Sequence, residues 1–144
     1  MTICVIVADG SRARILQAEH GDSPLTELQD FVHPESRLLD QDLITDEPGR
    51  GIRSGGSGKH TMGHESEARR KEIDDFAREL GAELDKLRRQ VHPHRIYLVA
   101  SPKLLGYLRD ALSKQCADLI AGEIAKDLVR HDLDDIRAHL PKRM

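Results

Sequence analysis

The sequence predicts a single α/β domain, a mixed sheet of about five strands with helices on both faces. Three observations carry that expectation. Residues 2–8 (TICVIVA) are a continuous apolar run rich in β-branched side chains, the mark of a strand covered on both faces. Ile73, Phe76, Ala77, Leu80, Leu84, Leu87 and Val91 recur at helical spacing and draw one apolar stripe along a long helix. A second apolar run, residues 95–100 (RIYLVA), is followed at once by Ser101-Pro102, an N-cap with Pro at the first helical position.

Each element follows in order. Asp9-Gly10 suits the positive-φ positions of a tight hairpin turn. A second strand runs from Arg12 to about Glu19, with Ala13 and Ile15 on one face and Arg12, Arg14 and Leu16 on the other. Gly21, Asp22, Ser23 and Pro24 make the next turn, and residues 25–32 (LTELQDFV) read as a third strand with Leu28 and Val32 buried, which completes a meander. Residues 35–43 suit a short helix before Pro48. The long helix keeps Arg88 and Arg89 near its C-terminus, where the macrodipole favours cations, and Pro93 ends it. Leu104, Leu105, Leu108, Ala111 and Leu112 line the helix after Ser101. Residues 121–128 (AGEIAKDL) fit a last strand, although local propensity also allows helix there. Asp132 caps a terminal helix containing Leu133, Ile136 and Leu140. Residues 1–144 show no internal repeat and no second domain.

Composition narrows the function classes. The chain has 144 residues, with 22 Lys+Arg against 25 Asp+Glu and a net charge of -3, which excludes a globally basic nucleic-acid binder and leaves room for a local basic patch. Phe31, Phe76, Tyr97 and Tyr107 are too few for a broad base-stacking platform. No apolar run approaches the roughly 20 residues that span a bilayer, and the opening MTICVIVADG lacks a basic n-region and reads as a strand, not a signal peptide. Cys4 and Cys116 cannot make a disulfide framework or a four-thiolate zinc site, so a reduced, cytoplasmic domain is expected. An apolar patch left on either helix layer would favour a homo-oligomer.

Residues 47–64 differ from the rest. Six of the eleven glycines (49, 51, 55, 56, 58 and 63) fall here, and each costs roughly 0.5–1 kcal/mol relative to Ala in a helix or strand. Between Glu47 and Glu65 there is no acidic residue, while Arg50, Arg53 and Lys59 supply positive charge beside His60 and His64. A mobile basic loop is expected, extended by Arg88, Arg89 and Arg95 if the end of the long helix lies nearby. The run GGSGKHT is not a phosphate-binding P-loop, because position 53 is Arg where that motif needs Gly and His60 follows Lys59 where it needs Ser or Thr. His60 and His64 stand four apart, and His92 and His94 flank Pro93, but neither pair has a third ligand at motif spacing. No metal, cofactor or catalytic residue is assigned. Cys4 in a buried strand and Cys116 on an apolar helix face read as packing.

Several segments resemble the host attachment protein family: VADGSRAR (7–14), TDEPGR (45–50), FARELGAEL (76–84), LLGYLR (104–109) and EIAKDL (123–128). That family is related to the central domain of archaeal and eukaryotic class I translation termination factors. The resemblance implies the ribonuclease-H-like topology of that domain. In termination factors the corresponding loop carries Gly-Gly-Gln, which promotes hydrolysis of the peptidyl-tRNA ester. Here the matching positions are Gly55, Gly56 and Ser57, so the glycines carry over and the glutamine does not. Ser lacks the reach and the amide of Gln.

The reading these observations support is a non-enzymatic module that binds ribosomal RNA or tRNA through Arg50, Arg53, Gly55, Gly56, Ser57, Lys59 and His60. Two alternatives stand beside it. One is a factor required for attachment to host cells, directly or indirectly, as the family name suggests. The other is a hydrolase of an RNA-linked ester, with Ser57 or His60 orienting water.

Overall fold

The computed structural model describes residues 1–32 and 58–144, with 58–66 described by backbone alone. The expected short helix at 35–43, and Arg50, Arg53, Gly55, Gly56 and Ser57 of the expected loop, lie outside the described residues.

The sheet is built on its first strand. β1 (Ile3–Ala8) is buried along its whole length. It pairs antiparallel with β2 (Arg12–Ala18), from Ile3↔Ala18 to Ala8↔Ala13. The turn between them rests on Asp9, whose Oδ1 accepts from the Ser11 amide at 3.0 Å, the Ser11 hydroxyl at 3.1 Å and the Arg12 amide at 3.0 Å. Gly10 alone takes a positive φ there, +97°, so the chain reverses through an aspartate-capped turn and only one of the two left-handed positions is used. β3 (Thr26–Val32) follows antiparallel to β2, with a register shift at Ile15/Leu16. It is an edge strand, and Val32 is 40% exposed instead of buried.

On the other side of β1, β4 (Arg95–Val99) and β5 (Ile120–Ile124) add in parallel, giving the order β3-β2-β1-β4-β5. This is the ribonuclease-H-like arrangement, a three-strand meander followed by parallel strands reached through helices. The last strand stops at Ile124, short of the expected Leu128.

The long helix α1 spans Gly58–Val91. It therefore begins inside the segment expected to be a loop, and Lys59, His60, Gly63 and His64 are helical. The physical reason is propagation. Once residues 65–91 are helical, each residue added in front costs only its own propensity, with no new nucleus to form. Only two of the six clustered glycines, 58 and 63, fall within this stretch.

After β4, α2 (Pro102–Ala111) is capped by Ser101, whose hydroxyl oxygen accepts from the Leu104 amide. Leu112 is extended, and a separate short helix α3 (Lys114–Leu119) starts from Ser113. The terminal helix α4 (Leu133–His139) is capped by Asp132, as the sequence predicts.

The alternation of β1 splits its side chains between two cores. Cys4, Ile6 and Ala8 join Ala13, Ile15, Ile96 and Leu98 under Phe76, Ala77, Leu80 and Leu84 of α1 and Leu104, Leu105 and Leu108 of α2. Val5 and Val7 face the other way, with Leu16, Tyr97 and Val99, against Leu128, Val129, Ile136, Leu140 and Met144. Helices thus cover both faces.

Candidate nucleic-acid interface

Helix α1 is much longer than the sheet it covers. Its 34 residues measure about 51 Å at 1.5 Å per residue, against about 20 Å for a six-residue strand. At the C-terminal end of β1, a Cβ built on Gly10 would lie 3.8 Å from Ile73 Cγ1, so Ile73 sits level with the sheet edge. At the opposite edge, α1 ends at Val91 and the chain enters β4, where the His94 amide donates to the Thr2 carbonyl at 2.7 Å. The fifteen helical residues before Ile73 therefore rise about 22 Å beyond the sheet edge. The apolar stripe explains where the overhang begins, since Ile73 is its first member and none of the described residues before it in the helix belongs to the core.

Lys59 and His60 lie in the first turn of this overhang, and Gly55, Gly56 and Ser57 precede that turn directly in sequence. The first turn contains no acidic residue. With its first amide groups unpaired within the helix, such an end favours anions. His60 and His64 stand one turn apart in α1. Among the described residues, no group of three His, Cys, Asp or Glu is placed to hold a metal.

The structure does not bring Arg88, Arg89 and Arg95 to this end. Lys59 and Arg88 are 29 residues apart on one helix, about 44 Å. Both arginines are also engaged. Asp85 accepts from Arg88 Nε at 3.2 Å and from Arg89 Nη1 at 2.9 Å, and takes the Ser113 hydroxyl at 2.9 Å. The Ser113 hydrogen bond, then the Arg88 guanidinium, hold the Asp85 carboxyl below the usual carboxylate range. Arg95 donates to the Met144 carbonyl at 2.8 Å. The expected extension of the patch fails because i, i+3 and i, i+4 spacing on a helix offered Asp85 to both arginines first.

The remaining chemistry is structural. Cys4 and Cys116 are free thiols with no solvent exposure. Burial pushes the Cys4 thiol up to about 11 and raises that of Cys116. Neither is a nucleophile near neutral pH. His92 takes φ +54° and its amide donates to the Arg88 carbonyl at 3.0 Å, so this histidine closes α1 in the left-handed conformation usual for a helix end. Sequence reasoning missed Arg14, which is 9% exposed, pairs with Glu27 and donates to the Val129 carbonyl at 2.9 Å and to the His131 carbonyl. An arginine alternating with Ala13 and Ile15 in a strand was its only signal. Among the described residues no helix is long and apolar enough to cross a membrane.

Residues 4–140 match the family described as protein required for attachment to host cells. The chain belongs to this family. The fold of this family member is similar to that of an archaeal translation termination factor, aRF1, with a TM-score of 0.54 and 13% identity over 96% of this chain and 34% of that one. A second solved structure, described as an archaeal protein, gives a TM-score of 0.50 and 13% identity over 87% of this chain and 30% of that one. The chain thus spans about a third of the length of the solved structures it matches. At such identity these likenesses show the fold alone. No curated protein matches the chain in sequence.

Proposed function

We propose that this member of the host attachment family is a non-enzymatic binding module that engages ribosomal RNA or tRNA through the segment leading into α1. One observation carries the reading. A segment with Arg50, Arg53 and Lys59 and no carboxylate between Glu47 and Glu65 feeds a helix that stands about 22 Å clear of the sheet edge. Cations delivered on such an extension reach phosphates that the acidic body would otherwise repel. The fold shared with a termination factor supports the same reading, and Ser57 in place of the expected Gln argues against peptide release.

The test is co-sedimentation with purified ribosomes, and retention of deacylated tRNA, across a salt series. Wild-type binding is expected to weaken linearly in log[salt], by about 0.7–0.9 per phosphate contact. R50E/R53E/K59E is expected to abolish it. Unchanged binding by that variant would overturn the reading.

The family's description supports a second reading, a factor required for attachment to host cells. Cell fractionation separates the two: a pool at the cell surface favours attachment, and a pool that follows ribosomes favours RNA.

A further inference from the structure

The two helices on the α1 side of the sheet are in register at one end of the molecule. α2 starts at the C-terminal edge of β4 and runs back toward the opposite edge, as α1 does. They touch where a Cβ built on Gly81 would lie 2.7 Å from the Ala111 carbonyl oxygen. Because both helices rise 1.5 Å per residue, Lys103, eight residues before Ala111, stands level with Ile73, eight residues before Gly81. Arg70 and Lys71 lie within one turn of that level, at the root of the overhang.

Arg70, Lys71 and Lys103 are exposed. None of the three makes an ion pair among the described residues. The nearest carboxylates are partly committed elsewhere. Asp9 holds its turn through three hydrogen bonds, and Asp74 pairs with Arg78 at 3.1 Å. Glu67, Glu72 and Asp75 stand beside the set on α1 and offset part of its charge.

We infer that Arg70, Lys71 and Lys103 form a second phosphate contact at the foot of α1, on the same RNA that meets the tip. This rests on the RNA-binding reading and deepens it. Lys59 and Arg70 are eleven residues apart, about 17 Å along the helix. A strand following the overhang passes several phosphates between tip and foot. Two contacts on one strand act together, because the first makes the second intramolecular. Lysine suits this use as a point charge on a flexible stem, and arginine adds a planar fork that matches phosphate oxygens.

The experiment compares R70E/K71E/K103E with R50E/R53E/K59E and wild type, measuring deacylated tRNA and ribosome binding over a salt series, with circular dichroism to show that each variant is folded. The foot variant is expected to keep residual binding, weakened at least tenfold at low salt, with its log–log salt slope reduced by about two to three. If the foot variant binds as wild type while the tip variant does not, the foot contact is overturned and the RNA reading stands. If neither variant changes binding, or if an acidic protein and not RNA competes for the foot, both are overturned.

Discussion

The two ends of the sheet treat their cations in opposite ways. At the edge where β1 and β4 begin, the arginines hold protein groups. Arg88 and Arg89 share Asp85, Arg95 takes the Met144 carbonyl, and Arg137 donates to the carbonyls of Gly21, Ser23, Pro141 and Lys142. At the edge where those strands end, Arg70, Lys71 and Lys103 have no such partner among the described residues. The first end uses the five donors of a guanidinium as a fixed fork that ties chain segments together. The second end leaves its charge in solvent. The division is one of degree, since Arg14, opposite Val7, is held by Glu27 and the Val129 carbonyl, and Asp74 holds Arg78.

Removing a cation from each pole breaks or upholds that contrast, and the anchored pole should respond most. Arg137→Ala removes a donor from four backbone carbonyls and leaves the Met144 amide, at 2.8 Å from the Gly21 carbonyl, to hold the C-terminal residues to that turn. Net hydrogen bonds to charged groups are worth about 1.5–3 kcal/mol each but are not additive, and water reaches the vacated carbonyls. A loss of about 2–3 kcal/mol by urea denaturation is expected. Lys103→Ala should stay within about 0.5 kcal/mol of wild type, as surface changes away from contacts do. Equal losses at both positions would erase the distinction.

Much of this was legible in the sequence, and the reasons differ by element. β1, the stripe of α1 and the caps at Ser101 and Asp132 follow from local rules of burial period and capping, so they stand where expected. Misreadings arose where a neighbour decided. Val32 lies on an edge strand, and pairing order is invisible to alternation. Residues 58–64 are helical because a helix arrives from their C-terminal side. The separation of Arg88, Arg89 and Arg95 from the basic segment required knowing that α1 runs unbroken for its whole length. The six-residue α3 is too short to show a period. Gly55, Gly56 and Ser57 rest on sequence and resemblance alone.

The Asp85 junction sharpens the same contrast through pH. The Ser113 hydrogen bond and the Arg88 and Arg89 guanidinium groups depress the Asp85 carboxyl in the folded chain, and His131 does the same for Asp135. For a depressed carboxyl, the stabilisation is fully present above its unfolded value of about 3.9 and is lost as pH falls through the lower folded value. Urea midpoints should therefore be flat from neutral pH to about pH 5 and decline below pH 4. Asp85→Asn should lower the midpoint at neutral pH and reduce its acid dependence, because the amide cannot titrate. A variant that retained the wild-type acid profile would show that Asp85 contributes nothing at this pole.

The smallest effect tests the overhang itself, through the two glycines that α1 contains beyond its first residue. Gly81 is required by the crossing with α2, where a Cβ would press within 2.7 Å of the Ala111 carbonyl oxygen. Gly63 stands above the sheet edge, past the last core contact of the helix. If the overhang is helical in solution, Gly63→Ala removes backbone freedom from the unfolded chain and raises helix content, a gain of roughly 0.5–1 kcal/mol for that segment. Far-ultraviolet dichroism and amide exchange at residues 58–70 should both increase in helicity and protection. Global unfolding should shift little, because the end of a long helix can fray apart from the domain. The same substitution at Gly81 should destabilise the whole fold. Glycine to alanine thus has opposite signs in one helix, and the sign changes at Ile73, where the sheet ends and the overhang begins.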